Sequence, residues 1–214
     1  MQDLFKKITD FKKWASQIPA ERRILEWECN YDGDRWGMLV HLFEEFISHS
    51  DFNLWETSTI EQILYIIARD NETEYLSSCI AKQDELLLFL AEKALEIGEP
   101  DAKWQLAVKL QGSKNSAKAS ALLETYVEDE DEYVNRRALM ALASLHSDKT
   151  EYYCQIAWDR TEYGEMQEYQ RIAVLHALYS LKSSLLEKYI TKAKQDGRKY
   201  LLENALEIES KRRQ

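Results

Sequence analysis

Glycine and proline are scarce: six and two in 214 residues. Tight turns are therefore few, which argues against an all-β architecture. Cysteine is also rare. Cys29, Cys79 and Cys154 are odd in number, far apart and without a CxxC pair, the usage of reduced thiols in a cytosolic protein rather than of a disulfide framework. No apolar run approaches the length of a membrane span. The opening MQDLFKKITDFKKW has lysines but no uninterrupted apolar segment, so it does not read as a signal peptide, and a cytoplasmic location is expected. Positive charge is in deficit: 28 Lys and Arg stand against 38 Asp and Glu, a net charge of −10. That balance disfavours a nucleic-acid binder relying on phosphate neutralisation and favours a basic partner. P-loop, GxGxxG, GxSxG and HExxH patterns are all missing.

What is plentiful is Ala, Leu, Glu and Lys, the good helix formers. Residues 3–18 carry Leu4, Phe5, Ile8, Phe11, Trp14, Ala15 and Ile18, one apolar helical face. Pro19 closes that helix and can open a short one over 21–30. Residues 31–34, YDGD, read as a turn, and a third helix follows over 35–50. Ser58 with Glu61, and Asn71 with Glu74, have the spacing of capping boxes. A helix over 84–97 is closed by Gly98 and Pro100. Eleven to thirteen helices with short connections are expected. Trp14 and Trp27 fall on core spacing, whereas Trp36 and Trp55 sit near helix ends and are expected to be more exposed.

The second half repeats itself. EYVNRRALMALASL (132–145) and EYQRIAVLHALYSL (168–181) match at seven of fourteen positions, 36 residues apart. Each is followed by a second apolar-striped segment, 149–160 and 183–196, and weaker echoes lie at 101–110 and 197–208. A helix pair recurring at 32–36 residues cannot close a core alone and must stack on its neighbours.

Val134, Arg136 or Arg137, Ala138, Ala141, Leu142 and Leu145 resemble the first helix of a HEAT-like (armadillo-type) repeat, and the acid before it, Asp131, belongs to that pattern. The resemblance covers about 99–208 and is faint over 1–98. It departs in lacking the inter-helix proline and in having Ile172 and Ala173 where the first repeat has Arg136 and Arg137. It implies an all-α solenoid of stacked antiparallel helix pairs with a less regular N-terminal third. That would be one domain over 1–214, with a basic tail at 209–214. It also implies a protein-binding scaffold, bound on the face lined by second helices; a few such domains bind DNA or attach pigments.

Candidate chemistry is thin. His41, Glu45 and His49 share one helical face and could ligate a metal, but no matching second motif exists, and His49 also suits a helix C-terminus. Cys29 has no base marked for it. Asp32 and Asp34 flank Gly33 as turn residues do, with too few oxygens for a cation. No catalytic residue, metal or cofactor is therefore expected.

The densest feature is five consecutive acids at 128–132. Asp131 and Glu132 suit the positive end of the helix that follows. Glu128, Asp129 and Glu130 stand against the preceding helix's C-terminus, where negative charge is disfavoured. Two readings stay open: a solvated turn that caps a helix, or one rim of an electrostatic docking surface. On the second, the partner-binding residues are Glu124, Glu128, Asp129, Glu130, Asp131, Tyr152, Asp159 and Tyr163. The expected function is a non-enzymatic binder, most concretely an immunity- or antitoxin-like inhibitor of a basic toxin or nuclease. The alternatives are a HEAT-like DNA-processing enzyme of glycosylase type, for which Lys192, Lys194, Arg198 and Lys199 would be the basic patch, and a scaffold or assembly chaperone.

Overall fold

A computed structural model describes residues 2–23 and 30–212. The expected helix over 21–30, with Trp27 and Cys29, falls largely outside them. Among the described residues there are twelve α-helices and no strands, and no helix is long and apolar enough to cross a membrane. Contacts divide the chain into two compact units, 1–109 and 110–214, each described by itself.

The first unit comprises α1 (Gln2–Ser16), α2 (Gly33–His49), α3 (Thr57–Arg69), α4 (Tyr75–Ile80), α5 (Asp84–Ile97) and nearly all of α6 (Pro100–Leu110). Helix α1 packs on α2 and α3, α3 on α5, and α4 on α2 and α5. Its apolar stripe, Leu4, Ile8, Phe11 and Ala15, is buried as the spacing requires. The Asp32 carboxylate accepts from the Arg35 amide at 3.0 Å, so the YDGD segment is the capped start of α2 rather than a free turn.

Both expected capping boxes are absent. Helix α3 begins at Thr57, placing Ser58 inside it, and Glu56 at the cap makes no side-chain bond. Before α4, the buried carboxylate of Asp70 accepts from the Leu76 amide at 2.7 Å and from the Thr73 hydroxyl, while Glu74 takes a left-handed φ of 51°. A buried carboxylate reaching back from the preceding helix end has replaced the local cap. Gly98 closes α5 as expected, for a steric reason. A Cβ there would lie 2.6 Å from the Ala94 carbonyl oxygen.

Trp14 is half-buried rather than core, lying 5.5 Å from Phe11 and 4.8 Å from Tyr31 between ring centroids. Trp36 and Trp55 are likewise half-buried. Trp55 stacks on Phe46 at 5.0 Å and donates to the Ser50 hydroxyl at 3.2 Å.

The second unit holds α7 (Ser116–Tyr126), α8 (Glu132–Ser144), α9 (Thr150–Asp159), α10 (Gln167–Ser180), α11 (Leu186–Asp196) and α12 (Lys199–Arg212). The 36-residue repeat is structural as well as sequential. Helices α8 and α10 both cap on a leucine, Leu145 and Leu181. The next residue, His146 or Lys182, takes the same left-handed φ of 52°. The amides of Ser147 and Ser183 then bond back to the carbonyls of Leu142 and Leu178, a Schellman closure in each case. Thr150 and Leu186 start the second helices, again 36 residues apart.

First helices lie side by side, α8 on α10 and α10 on α12, while α9 packs on both α8 and α10. Ala138, Ala141, Leu142, Val174, Leu175 and Leu178 are buried between them; Leu145 and Leu181, at the helix ends, are half-buried. The expected basic tail is mostly the end of α12, where Lys211 pairs with Glu207 at 2.6 Å and Arg212 with Glu187 at 2.7 Å.

Candidate functional site

The acidic turn between α7 and α8 is held from several sides. The Asp129 carboxylate accepts from the Asp131 amide at 2.9 Å, the local turn that aspartate favours. Asp131 is the N-cap of α8, accepting from the amides of Tyr133 and Val134 at 2.9 and 3.1 Å. Beneath the turn, the buried Asn135 side chain donates to the Val127 carbonyl. Buried Gln170 of α10 donates to the Glu132 carbonyl and to the Asn135 amide oxygen, both at 3.1 Å. Tyr163, from the α9–α10 connection, donates to the Asp129 carbonyl at 3.1 Å and accepts from Arg160 at 3.1 Å.

These bonds sort the five acids differently from the sequence reading. Asp131 serves the helix as expected. Glu132 is buried, paired with Arg136 at 2.8 Å, and burial pushes its carboxyl above the ordinary range against the pull of that arginine. Asp129 joins the structural set because its own carboxylate shapes the turn. Glu128 and Glu130 remain exposed, with no ion pair among the described residues.

Of the other expected site residues, Glu124 pairs with Lys149 at 2.6 Å, and that bond raises the lysine's pKa. Burial raises the pKa of the Tyr153 phenol, with Glu124 and Glu128 adding to the rise, and its ring lies 5.3 Å from that of the exposed Tyr152. Glu124, Glu128 and Tyr152 therefore share a neighbourhood, while Asp129, Asp131 and Tyr163 form the hydrogen-bonded turn beside it. Tyr163 is half-buried and its hydroxyl is engaged at both ends, so it braces the turn rather than standing out from it. Asp159 is at the far end of α9, about 10 Å along the axis from Tyr152. It is exposed and 3.8 Å from Lys192. No bond ties it to the acidic turn among the described residues.

The chain matches no known family model, no curated protein and no solved structure.

The remaining candidates resolve into local structure. His49 sits with Nδ1 2.8 Å from the Glu45 carbonyl, engaged with its own helix end, and His41 lies 3.6 Å from the Glu45 carboxylate. Among the described residues no three His, Cys, Asp or Glu side chains group as metal ligands. In the expected basic patch, Lys194 pairs with Glu209 at 2.6 Å and Arg198 with Asp196 at 2.7 Å, while Lys199 lies over the Tyr200 ring at 5.2 Å. Asp196 also binds Arg171. The hydrogen bond from Arg198 is the main cause that holds its carboxyl down at about 2.

Sequence reasoning missed Tyr133 and Tyr169 as exposed residues. The two tyrosines occupy one column of the repeat, 36 residues apart. That column could have marked them, had the shared positions been sorted into apolar ones facing the stack and amphipathic ones facing out.

Proposed function

We propose that this chain is a non-enzymatic protein-binding module on a HEAT-like helical-repeat scaffold, a single domain over 1–214 acting in the cytoplasm. Its most concrete form is an immunity- or antitoxin-like inhibitor that covers a basic surface of a toxin or nuclease. The observation that carries the reading is the acidic turn. Glu128 and Glu130 are exposed carboxylates on a segment held by Asn135, Tyr163 and two aspartate caps. Presenting charge on a rigid segment costs little ordering on association, and the charge itself speeds encounter with a basic partner. The helix pair recurring at 36 residues supports the scaffold part of the reading. Pairing of Lys194 and Arg198 with acids weighs against a phosphate-binding face and so against the DNA-processing alternative.

The test starts from capture of the partner on the immobilised chain from its native host. Association rates are then measured for the parent and for E128S/E130S at low and at physiological salt. Removing two of the carboxylates should slow association several-fold at low salt, with a much smaller difference at high salt. Equal rates at low salt would leave the turn as nothing more than a helix cap.

A further inference from the structure

The starts of three helices form one edge of the second unit. Gln170 of α10 bonds the Glu132 carbonyl at the start of α8 at 3.1 Å, and the Glu168 carboxylate accepts from the Leu201 amide at the start of α12 at 2.9 Å. Each start carries a tyrosine in the same repeat column: Tyr133 in α8, Tyr169 in α10 and Tyr200 in α12. A tyrosine needed for packing would be enclosed. These are 37, 41 and 48 % exposed. Adjacent packed helices lie about 8–10 Å apart, so the row is about 20 Å long.

The row already holds internal cations: Arg137 lies 5.5 Å from the Tyr133 ring centroid and Lys199 5.2 Å from that of Tyr200. Arg136 lies 4.7 Å from the Tyr133 ring centroid and 5.6 Å from that of Tyr169. Its charge is met by Glu132, so it adds aromatic contact without making the edge basic. Two acidic loops border the row. Tyr163 bonds the 128–132 turn to the loop that carries Glu162 and Glu165. Glu128, Glu130, Glu162 and Glu165 are all exposed, with no ion pair among the described residues.

We propose that this edge is the docking surface for a basic protein partner. Tyr133, Tyr169 and Tyr200 receive its arginine side chains, and Glu128, Glu130 and Glu162 receive its remaining cations. The inference rests on the protein-binding reading above and moves the contact from the second helices to the starts of the first ones. Charge complementarity names the occupant: exposed carboxylates without an ion-pair partner among the described residues, near exposed tyrosine rings, suit guanidinium groups, which stack on rings and bind carboxylates in one plane. Tyrosine adds rigid contact area with two side-chain torsions.

The test uses the full chain with isotope-labelled tyrosine rings, titrated at low salt with deca-arginine, deca-lysine and a single-stranded deoxyoligonucleotide. Deca-arginine should shift the rings of Tyr133, Tyr169 and Tyr200 more than that of Tyr152, which neighbours Glu128, and bind more tightly than deca-lysine. Y133S/Y169S should weaken deca-arginine by about 4- to 25-fold, from about two- to five-fold per exposed ring. The ring shifts are read on the parent protein, so the test does not depend on that variant folding. Shifts confined to Tyr152 and Tyr153, with affinity lost in E128S/E130S but kept in Y133S/Y169S, would overturn the tyrosine edge and leave the acidic binder standing. No response to either peptide would overturn both. Movement of the same rings by the oligonucleotide alone would overturn the protein partner.

Discussion

Replacing Leu142 by alanine tests the stacking of the second unit most directly. Leu142 is fully buried in α8, a helix packed on α7, α9 and α10, and its carbonyl closes the Schellman turn at Ser147. Truncation removes three buried carbons and leaves a cavity that helices on several sides cannot readily collapse to fill. The cost should fall in the middle of the range for such sites, about 3–4 kcal/mol. With a urea slope of about 2 kcal/mol/M, the midpoint should drop by about 1.5–2 M with the slope unchanged. Leu178 is the same position one repeat on, equally buried and with the same closing bond to Ser183, so L178A should cost about as much. Leu145, half-buried at the helix end, should lose roughly 1 kcal/mol, typical of a partly exposed site. The assay is urea unfolding followed by circular dichroism, with amide exchange in α8 and α10 assigning the loss to the second unit. The reasoning is refuted if L142A or L178A costs less than about 1 kcal/mol, or if L145A costs as much as L142A.

Two further outcomes follow from single side chains. D131A should lower the urea midpoint by the equivalent of about 1 kcal/mol through loss of the α8 N-cap, whereas E130S should stay within about 0.5 kcal/mol of the parent. D196N should destabilise the second unit at neutral pH by stranding Arg171 and Arg198. The parent carboxyl, held at about 2 chiefly by the Arg198 hydrogen bond, has a folded pKa below its unfolded one. Its stabilisation is therefore full above about pH 4 and is lost as the pH falls toward 2. The gap between parent and D196N in chemical unfolding should close over that window, and a gap unchanged at pH 2 would refute the assignment.

The all-helical class and the repeating pair in the second half could be read from the chain alone. Both are written locally: helix formers in excess, few turn residues, and apolar positions recurring at 3.6 residues and again at 36. The alignment of 132–145 with 168–181 pointed to Leu142, Leu175 and Leu178 as buried, but equally to Leu145 and Leu181, which are only half-buried because they stand at the helix ends. Local signals failed where a distant group took over a local task. Ser58 and Asn71 had the right spacing for caps. The α3 boundary, however, fell one residue before Ser58, and the helix expected from about residue 72 starts at Tyr75, where the buried Asp70 holds the Leu76 amide.

The acidic turn divides in the same way. The cap at Asp131 is a matter of residue type three places before a helical amide, so the chain sufficed. That Asp129 belongs to the framework, that Glu132 is buried on Arg136, and that Glu128 and Glu130 are left outward was decided by Asn135, Tyr163 and Gln170. Two of these come from elements more than thirty residues away. A run of like charges carries no label in the sequence. Which members face solvent depends on hydrogen bonds that exist only once the neighbouring helices have packed, and for that reason the binding surface belongs to the tertiary structure.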